Sequence, residues 1–457
     1  MLKPLSYRRL INYLGQSTSI APLVVFRIGF GFVMLVSTMR YLVLGWVDAQ
    51  LVDQVLHFSY YGFHWVEPLP RVGLYTVFFL MLLCCLGILL GFYYRLAAVL
   101  FFLSFTYIEL IDLTYYLNHY YFVSVVSFLM ILVPAHRYFS CDVMRNPSLL
   151  LTKVPRWTIF IFKLQIAIVY CYAGLAKLNY DWLIKALPLA IWLPAKTSIP
   201  VIGSIFQYKT TAFLFSWMGM LFDTFIIFGL VFKKTRWLAY SAVVIFHSLT
   251  GILFQIGVFP IVMIFAVTIF FSQSFHEKLL TVLARLLPTS AKQTLENSSE
   301  KKPSSTVSGL LPGFLVIFFI FQLTFPWRYL LYPGNIFWTE EGYRFAWRVM
   351  LMEKAGTATF YVKDGENGRE GSVINQQFLN PHQEKQMAMQ PDLILQYAHF
   401  LDAYYQNQGM QDPIVRAEVW VTLNARPARL LIDPTVDLSE INDSWAPKSW
   451  ITAYDTE

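Results

Sequence analysis

Charged residues and cysteines are scarce in this chain. Asp, Glu, Lys and Arg make up 14% of its 457 residues, whereas they make up about a quarter of a typical soluble domain. The four cysteines stand at positions 84, 85, 141 and 171, with no spacing that suits a metal. We therefore predict neither a disulfide framework nor a bound metal, and the composition excludes an ordinary soluble domain.

Long basic runs are also missing, although the formal net charge is +7. The largest basic cluster is Lys233, Lys234 and Arg236, and most other basic residues stand between apolar segments. A nucleic-acid-binding protein concentrates its basic residues in a patch. Here the pattern indicates membrane topology, because Lys and Arg accumulate in the cytoplasmic loops of membrane proteins. We predict no nucleic-acid partner.

Apolar and aromatic side chains are abundant. Hydrophobic residues make up 56% and aromatic residues 18% of the chain, and a helical span of a bilayer needs about 20 mostly apolar residues. We therefore predict an α-helical polytopic membrane bundle of about nine transmembrane helices in a lipid bilayer. The runs that approach this length are 20–44, 72–92, 96–113, 119–135, 156–178, 212–232, 237–257, 258–272 and 309–327.

Two changes in composition divide the chain. Residues 287–308 are rich in Ser, Lys and Pro without apolar periodicity, which predicts a flexible cytoplasmic linker inside a membrane domain of residues 1–332. Residues 333–457 are more polar and are predicted to form an extramembrane C-terminal domain of α+β or β-rich character. Alternating segments at 358–373 and 416–434 predict strand pairs, and residues 393–407 have helical periodicity.

The positions of the basic residues predict the orientation. Basic residues precede the first span and follow the second, fourth and sixth spans, so these loops lie on one side. The positive-inside rule makes that side, and the N-terminus, cytoplasmic. An odd number of spans then places the C-terminal domain outside, beyond a bacterial inner membrane or, in a eukaryote, in the ER lumen.

Several predicted spans contain ionisable side chains. Each such residue at the bilayer centre costs about 2.5–3.5 kcal/mol on insertion scales, so it needs a partner, a cavity or a function. Some of them can be structural ion pairs or can reach toward the interface, but as a group they indicate a polar cavity inside the bundle. They are Arg27, Arg40, Glu109, Asp112, Lys163, Lys177, Asp223 and His247.

Two segments hold the strongest candidates for chemistry. In YLNHYYF, Asn118 and His119 stand at the outer end of the fourth span, beside Tyr116. In YCYAGLAKLNYDW, Gly174 permits close helix contact, and Lys177 stands at the outer end of the fifth span. A lysine in a partly dry pocket is suited to act as a base, but a lysine at the end of a span is also a common interfacial anchor. The residues alone therefore predict an outward-facing polar pocket and no particular reaction.

At YAGLAKLNYDW the sequence resembles the vitamin K-dependent gamma-glutamyl carboxylase family. Other stretches resemble family landmarks in the same order and cover nearly the whole chain between residues 24 and 450. The chain lacks the cysteine pair that joins the two parts of animal members, and its short C-terminal end resembles bacterial members of the horizontally transferred transmembrane domain group. The landmarks are VEPLP, YLNHYY with AHRYFSCD, FDTFIIFGLVFKKTR, FHSLTGILFQIGVF, EEGYRFAW, and ARLLIDPTVDL with WAPKSW.

This resemblance implies an enzyme that carboxylates glutamate in a protein or peptide substrate and converts reduced vitamin K to its epoxide. O2 and CO2 would be co-substrates, and no metal would be needed. Lys177 would be the base that activates the lipophilic hydroquinone, with Asn118 and His119 as its catalytic neighbours. Such chemistry needs a site that excludes water and that a quinone can reach from the bilayer. The residues implied to bind quinone or substrate are His247, Tyr343 and Tyr116.

Other functions remain open from the sequence. A related membrane quinol oxygenase could use the same Lys177 to form epoxide without carboxylating protein. A transporter could line its path with the charges inside the spans, although the chain has neither inverted repeats nor matching interrupted helices. A structural scaffold explains the helices but neither these charges nor the ordered landmarks.

Overall fold

The computed structural model describes residues 7–254, 256–285 and 310–454. The linker predicted at 287–308 lies outside these residues. In chain order, the helices of the membrane part are α1 Tyr7–Gly15, α2 Ala21–Val43, α3 Arg71–Leu90, α4 Tyr94–Ile111, α5 Asn118–Leu132, α6 Cys141–Arg145, α7 Trp157–Ala176, α8 Tyr180–Ile184, α9 Leu189–Trp192, α10 Lys209–Val231, α11 Arg236–Phe254, α12 Phe259–Ala266, α13 Gln273–Ala284 and α14 Leu311–Thr324. Short 3-10 or π turns lie at Asp48–Val52, Leu113–Tyr115, Pro147–Leu149, Pro194–Lys196, Gly203–Gln207, Val267–Phe270 and Phe325–Leu331.

Within the described residues, seven helices are long and apolar enough to cross a bilayer. They are α2, α3, α4, α7, α10, α11 and the continuous segment Leu311–Leu331. The predicted polytopic helical bundle is thereby confirmed. The fourth and eighth predicted spans are also helical but shorter. Helix α5 has 15 residues, and the segment Phe259–Phe270 meets α13 at a bend of 117°.

Proline explains why α5 is short. Val133 has the extended backbone angles φ −108° and ψ 149°, and Pro134 follows it. A proline ring clashes with a helical conformation of the residue before it, so helices commonly end there. The run predicted as a span at 119–135 therefore stops being helical at Leu132.

Contacts between short segments show which helix ends share one face of the bundle. Strand β1 (Ser17–Ser19), before α2, pairs with strand β2 (Lys153–Pro155), before α7. Because β1 and β2 lie on the same face, the chain between them must run across the bundle an even number of times. Helices α2, α3 and α4 account for three of these passages, so α5 must be the fourth. Gln273 of α13 hydrogen-bonds to Thr18 of β1, which requires that Phe259–Phe270 crosses along with α7, α10 and α11. With α14, the described residues contain nine segments that run between the two faces of the bundle, of which seven are long and apolar enough to cross a bilayer by that measure alone.

Apolar side chains cover the outside of the bundle. On α10 they recur every three or four positions and form one stripe along the helix. Such a surface suits hydrocarbon, in which only structures with internally paired backbones are stable. The exposed residues of this stripe are Leu214, Met218, Leu221, Phe225 and Phe228.

The C-terminal part contains a four-stranded antiparallel sheet backed by helices. Its strands are β3 Lys354–Lys363, β4 Glu370–Ser372, β5 Ile414–Leu423 and β6 Arg429–Leu430, in the spatial order β4-β3-β5-β6. Its helices are α15 Ile336–Thr339, α16 Pro381–Met387 and α17 Pro391–Asn407, with a 3-10 turn at Asn375–Gln377. Both predicted strand pairs and the predicted helix are confirmed. The boundary at residues 332 and 333 stays a prediction.

Polar contacts dock this domain on the face opposite β1 and β2. Gln383 of α16 donates to Asp112, just after α4, across 2.8 Å. Arg426 donates to Asp181 of α8, the short helix that follows α7, across 2.8 Å. The domain therefore covers the helix ends near which the candidate site residues stand.

Candidate functional site

A glycine at position 174 brings helices α7 and α10 together. A Cβ atom at Gly174 would lie 2.7 Å from the backbone nitrogen of Thr224 and 2.9 Å from its Cα, so a larger residue would push α10 away. The close contact places the end of α7 beside Asp223. Lys177 is the C-cap residue of α7, and its side chain therefore reaches α10.

Lys177 and Asp223 form a buried ion pair. Lys177 Nζ lies 2.7 Å from Asp223 Oδ2, and the two side chains are 8% and 7% exposed. The ammonium also donates to the carbonyl of Ala173 across 3.2 Å and lies 5.3 Å from the ring centre of Trp182, within cation–π range. Lys177 thus faces the interior of the bundle and is no interfacial anchor.

The ion pair lines a small cavity of about 110 Å³. The cavity is also lined by the polar residues His247 and Thr250 of α11 and Tyr170 of α7, and His247 Nε2 lies 2.8 Å from the Tyr170 hydroxyl. His247 is 3% exposed, and its Nδ1 has no hydrogen-bond partner among the described residues. The remaining walls are mainly apolar and aromatic, and include Trp182, Trp192, Phe215, Phe246, Phe254, Phe259 and Met263.

The other four predicted site residues line a larger cavity of about 1060 Å³ between the bundle and the C-terminal domain. They are Tyr116, Asn118, His119 and Tyr343. Asn118 Nδ2 donates to the carbonyl of Arg348 across 2.8 Å, and Asn118 Oδ1 accepts from the Tyr116 hydroxyl across 3.1 Å. Burial raises the pKa of Tyr343, so its phenol stays protonated and can donate a hydrogen bond.

The ring of Phe259 separates the two groups of predicted site residues. Its centre lies 5.4 Å from that of His119, in the larger cavity, and 5.8 Å from that of His247, in the smaller one. Lys177 and His247 are therefore brought together, whereas Asn118 and His119 lie on the other side of Phe259. The roles predicted for all six residues stay predictions. The residues that line both cavities are Ile256, Phe259, Val349 and Met350.

Basic side chains outnumber acidic ones around the larger cavity. Lys354 pairs with Glu340 at 2.9 Å, and Arg344 pairs with Asp392. Arg348 is 8% exposed, and its Nε has no hydrogen-bond partner among the described residues. Charge and an unpartnered donor thus suit this cavity to an anionic ligand. The lining includes Arg40, Arg344, Arg348, Lys354 and Lys385 against Glu340 and Glu353.

Sequence reasoning missed three residues of this region. Asp223 was recognised as a charge within a span, but no spacing connects it to Lys177. Arg348 directly follows the landmark EEGYRFAW, and its positive charge beside that landmark was the signal that could have indicated it. Phe259 is one of many phenylalanines, and only the fold gives it its position.

The fold and the site define a class: a polytopic membrane protein with a buried lysine–carboxylate pair in a largely apolar cavity, covered on one face by an α+β domain. The HTTM domain family matches residues 16–275, more than half of the chain. The lumenal domain family of vitamin K-dependent gamma-carboxylase matches residues 308–457. The chain therefore belongs to the vitamin K-dependent gamma-carboxylase family, which confirms the resemblance found in the sequence. No solved structure matches the chain.

Proposed function

We propose that this protein is a membrane enzyme that carboxylates glutamate side chains of a protein or peptide and converts reduced vitamin K to its epoxide. The observation that carries the proposal is the buried pair of Lys177 and Asp223 in a largely apolar cavity. When bound, reduced vitamin K supplies, with O2, the strong base that removes a γ-proton from glutamate. Family membership supports the same reaction.

The residues of the small cavity fit a hydroquinone. An aromatic ring with two hydroxyls needs flat apolar walls and a few polar partners. Trp182, Phe246 and Phe259 offer such walls, and Lys177 offers a polar contact. His247 Nδ1 is buried without a partner, and buried polar atoms are nearly always satisfied by some group. A ligand hydroxyl would satisfy it.

Lys177 is the residue that accepts a proton from the hydroquinone, at Nζ. Asp223 and the carbonyl of Ala173 hold Nζ in position. The amine is therefore already in place before the reaction begins, which lowers the entropic cost of the proton transfer. The low exposure of both side chains keeps water away from the proton that is transferred. His247 and Tyr170, joined by a hydrogen bond, line the same cavity and would contact the bound ring.

The larger cavity is the site for the glutamate side chain. Its basic lining and the unpartnered Nε of Arg348 suit a carboxylate. Asn118 and His119 line this cavity. The ring of Phe259 contacts the ring of His119 on one side and the ring of His247 on the other. The quinone reaches its cavity from the bilayer, and the peptide arrives from the side of the C-terminal domain, which we assign to the extracytoplasmic face.

A second candidate function is a quinol oxygenase that forms epoxide without carboxylating a peptide. The ring of Phe259 between the two cavities favours this candidate. All the residues proposed to bind the hydroquinone line the small cavity, so epoxide formation would not require the larger cavity. No comparable observation supports the two other functions considered from the sequence, a transporter and a scaffold.

The test is an assay of the purified full-length protein in detergent with reduced vitamin K, O2, labelled bicarbonate and a glutamate-rich peptide. We expect both labelled peptide and epoxide. Epoxide without labelled peptide would support the oxygenase, and the absence of both products would overturn the proposal. Lys163→Ala is a matched control for Lys177→Ala, because Lys163 lies on the same helix but lines neither cavity.

A further inference from the structure

Asp223 is the only acidic side chain within hydrogen-bond distance of Lys177 Nζ in the described part of the chain. An ammonium that is paired with a carboxylate already holds its full set of protons and cannot accept another. We propose that Asp223 is a positioning residue that sets the protonation state of Lys177 and directs its amine into the small cavity. This inference rests on the proposed role of Lys177 as a base.

The backbone fixes the geometry of the pair. Gly174 sets the distance between α7 and α10, and thereby the separation of Lys177 from Asp223. Nζ donates to Asp223 Oδ2 and to the carbonyl of Ala173, which leaves one of its three hydrogens for the cavity that Lys177 lines. Asp223 thus orients the amine as well as carrying the opposite charge.

A proton shared across the 2.7 Å contact reconciles the ion pair with a basic role. When the proton between them passes from Nζ to Oδ2, Lys177 becomes a neutral amine and Asp223 a neutral acid, and the net charge of the pair is unchanged. Nζ can then accept one hydroxyl proton from the hydroquinone. The pair gains a charge of +1, which balances the negative charge left on the proton donor. Removing that proton afterwards restores the resting pair.

Few other titratable groups face this pair. The described residues of the small cavity include only Tyr170 of α7 and His247 of α11 besides the pair itself, and these two are hydrogen-bonded to each other. The residues contributed by α8, α9, α12 and by positions 349–350 carry no ionisable group. Asp223 is therefore the one carboxylate that faces Lys177 among the described residues of this cavity.

The direct test measures how the reactivity of Lys177 depends on pH. Reductive methylation with formaldehyde and a borane labels neutral amines, and mass spectrometry of the Lys177 peptide needs neither quinone nor turnover. Asp223→Asn keeps the shape of the side chain and removes its charge, so the buried amine should be labelled at least about tenfold faster at neutral pH, which corresponds to a midpoint lower by about one pH unit. An unchanged midpoint overturns the proposal. Lys163 in the same protein is the internal reference, and its midpoint should not move.

Activity and infrared spectra provide two further readouts. The acid limb of the pH profile for epoxide formation should move to lower pH in Asp223→Asn, and Asp223→Glu should restore it. Lower folded yield without any shift would mean a merely structural role and would also overturn the proposal.

If Asp223→Asn does not fold, Lys177→Met gives the reciprocal result. Asp223 without its cation should then show a carboxylic-acid C=O band in the infrared spectrum that wild type lacks, and absence of that band contradicts the proposal. If wild type makes no epoxide but the labelling shift is found, only the proposed function fails.

Discussion

Asn118, at the start of α5, donates its side-chain amide to the backbone carbonyl of Arg348 across 2.8 Å. The two residues are 230 positions apart in the sequence, and their contact ties the membrane bundle to the segment that carries Tyr343. The same segment supplies Val349 and Met350 to both cavities. Asn118 therefore holds the wall between the cavities in place as well as lining the larger one.

The first prediction is that Asn118→Asp loosens this segment. The new carboxylate can still accept from the Tyr116 hydroxyl, but it cannot donate to the Arg348 carbonyl. Leaving a buried polar group without its partner costs about 1–3 kcal/mol. We expect a lower thermal midpoint and faster proteolysis between residues 341 and 350. Tyr120→Phe, which removes a hydroxyl in the same cavity, is the control, and equal proteolysis of both variants would contradict a specific role for Asn118.

The second prediction is that Phe259→Ala joins the two cavities and uncouples the two products. Without the ring, water can pass between the cavities of His119 and His247, so the strong base is quenched before it reaches glutamate. We expect the molar ratio of epoxide to carboxylated peptide to rise several-fold. Phe228→Ala is the matched control, because Phe228 is 57% exposed on the outside of α10. A ratio that stays at the wild-type value would show that Phe259 does not control the passage.

The helices could be predicted from the sequence because the bilayer imposes both their length and their composition. Each of the nine predicted runs contains a helix in the described part of the chain, and the shortening of α5 has a local cause, Pro134 after Val133. The two long strands of the C-terminal domain, β3 and β5, were also predictable, since each has alternating burial along its length. These features depend on neighbours in the sequence.

The site could be predicted only in part, because it depends on contacts between distant residues. Lys177 and Asp223 are 46 positions apart, and no periodicity links one helix to the other. The sequence likewise gave no indication that the candidate residues divide between two cavities. Asp112 illustrates the structural alternative: it accepts hydrogen bonds from Thr114 and Gln383 and serves to dock the domain.

The third prediction concerns sidedness. Lys234 lies in the loop between α10 and α11, and Trp420 lies on β5 of the C-terminal domain with 42% of its surface exposed. Single cysteines at these two positions, in a variant without the four native cysteines, should react with an impermeant maleimide from opposite sides of sealed vesicles. The basic loop should react from the cytoplasmic side. Labelling of both from one side would mean that one of the three segments between them, α11, Phe259–Phe270 or α14, does not cross.

The fourth prediction is that acid weakens the docking of the C-terminal domain. Burial alone would raise the pKa of Asp181, but hydrogen bonds from Arg426 and Asn424 and the charge of Arg426 bring it below its usual value. A carboxylate with a lowered pKa in the folded state stabilises that state above its unfolded pKa of about 3.9. This contribution is lost as the pH falls through the lower, folded value.

The thermal midpoint measured between pH 6 and pH 3 tests this expectation. Asp181→Asn should be less stable than wild type at pH 6 and should lose less stability below about pH 4, where the wild-type carboxylate is protonated. Asp402→Asn changes a carboxylate of α17 that accepts a hydrogen bond from Gln406 of the same helix, and it should keep the wild-type pH dependence. Parallel curves for Asp181→Asn and wild type would contradict the role of Asp181.

The fifth prediction is that Lys177→Ala abolishes both epoxide formation and carboxylation. Loss of a general base typically lowers the rate by about 10² to 10⁴-fold. It also leaves Asp223 buried without its cation, so folding must be checked separately by size-exclusion chromatography and thermal unfolding. Lys163→Ala removes another lysine of the same helix and should keep both activities.

Arginine at position 177 separates a base from a structural cation. Lys177→Arg keeps a positive charge beside Asp223 and should preserve the fold, but a guanidinium stays protonated at any accessible pH and cannot accept the hydroquinone proton. We therefore expect Lys177→Arg to be folded and inactive, and small primary amines to restore some activity to Lys177→Ala by occupying the vacated space. A folded Lys177→Arg protein that forms epoxide at the wild-type rate would show that only the charge of Lys177 matters, and the proposed role of its amine as the base would have to be abandoned.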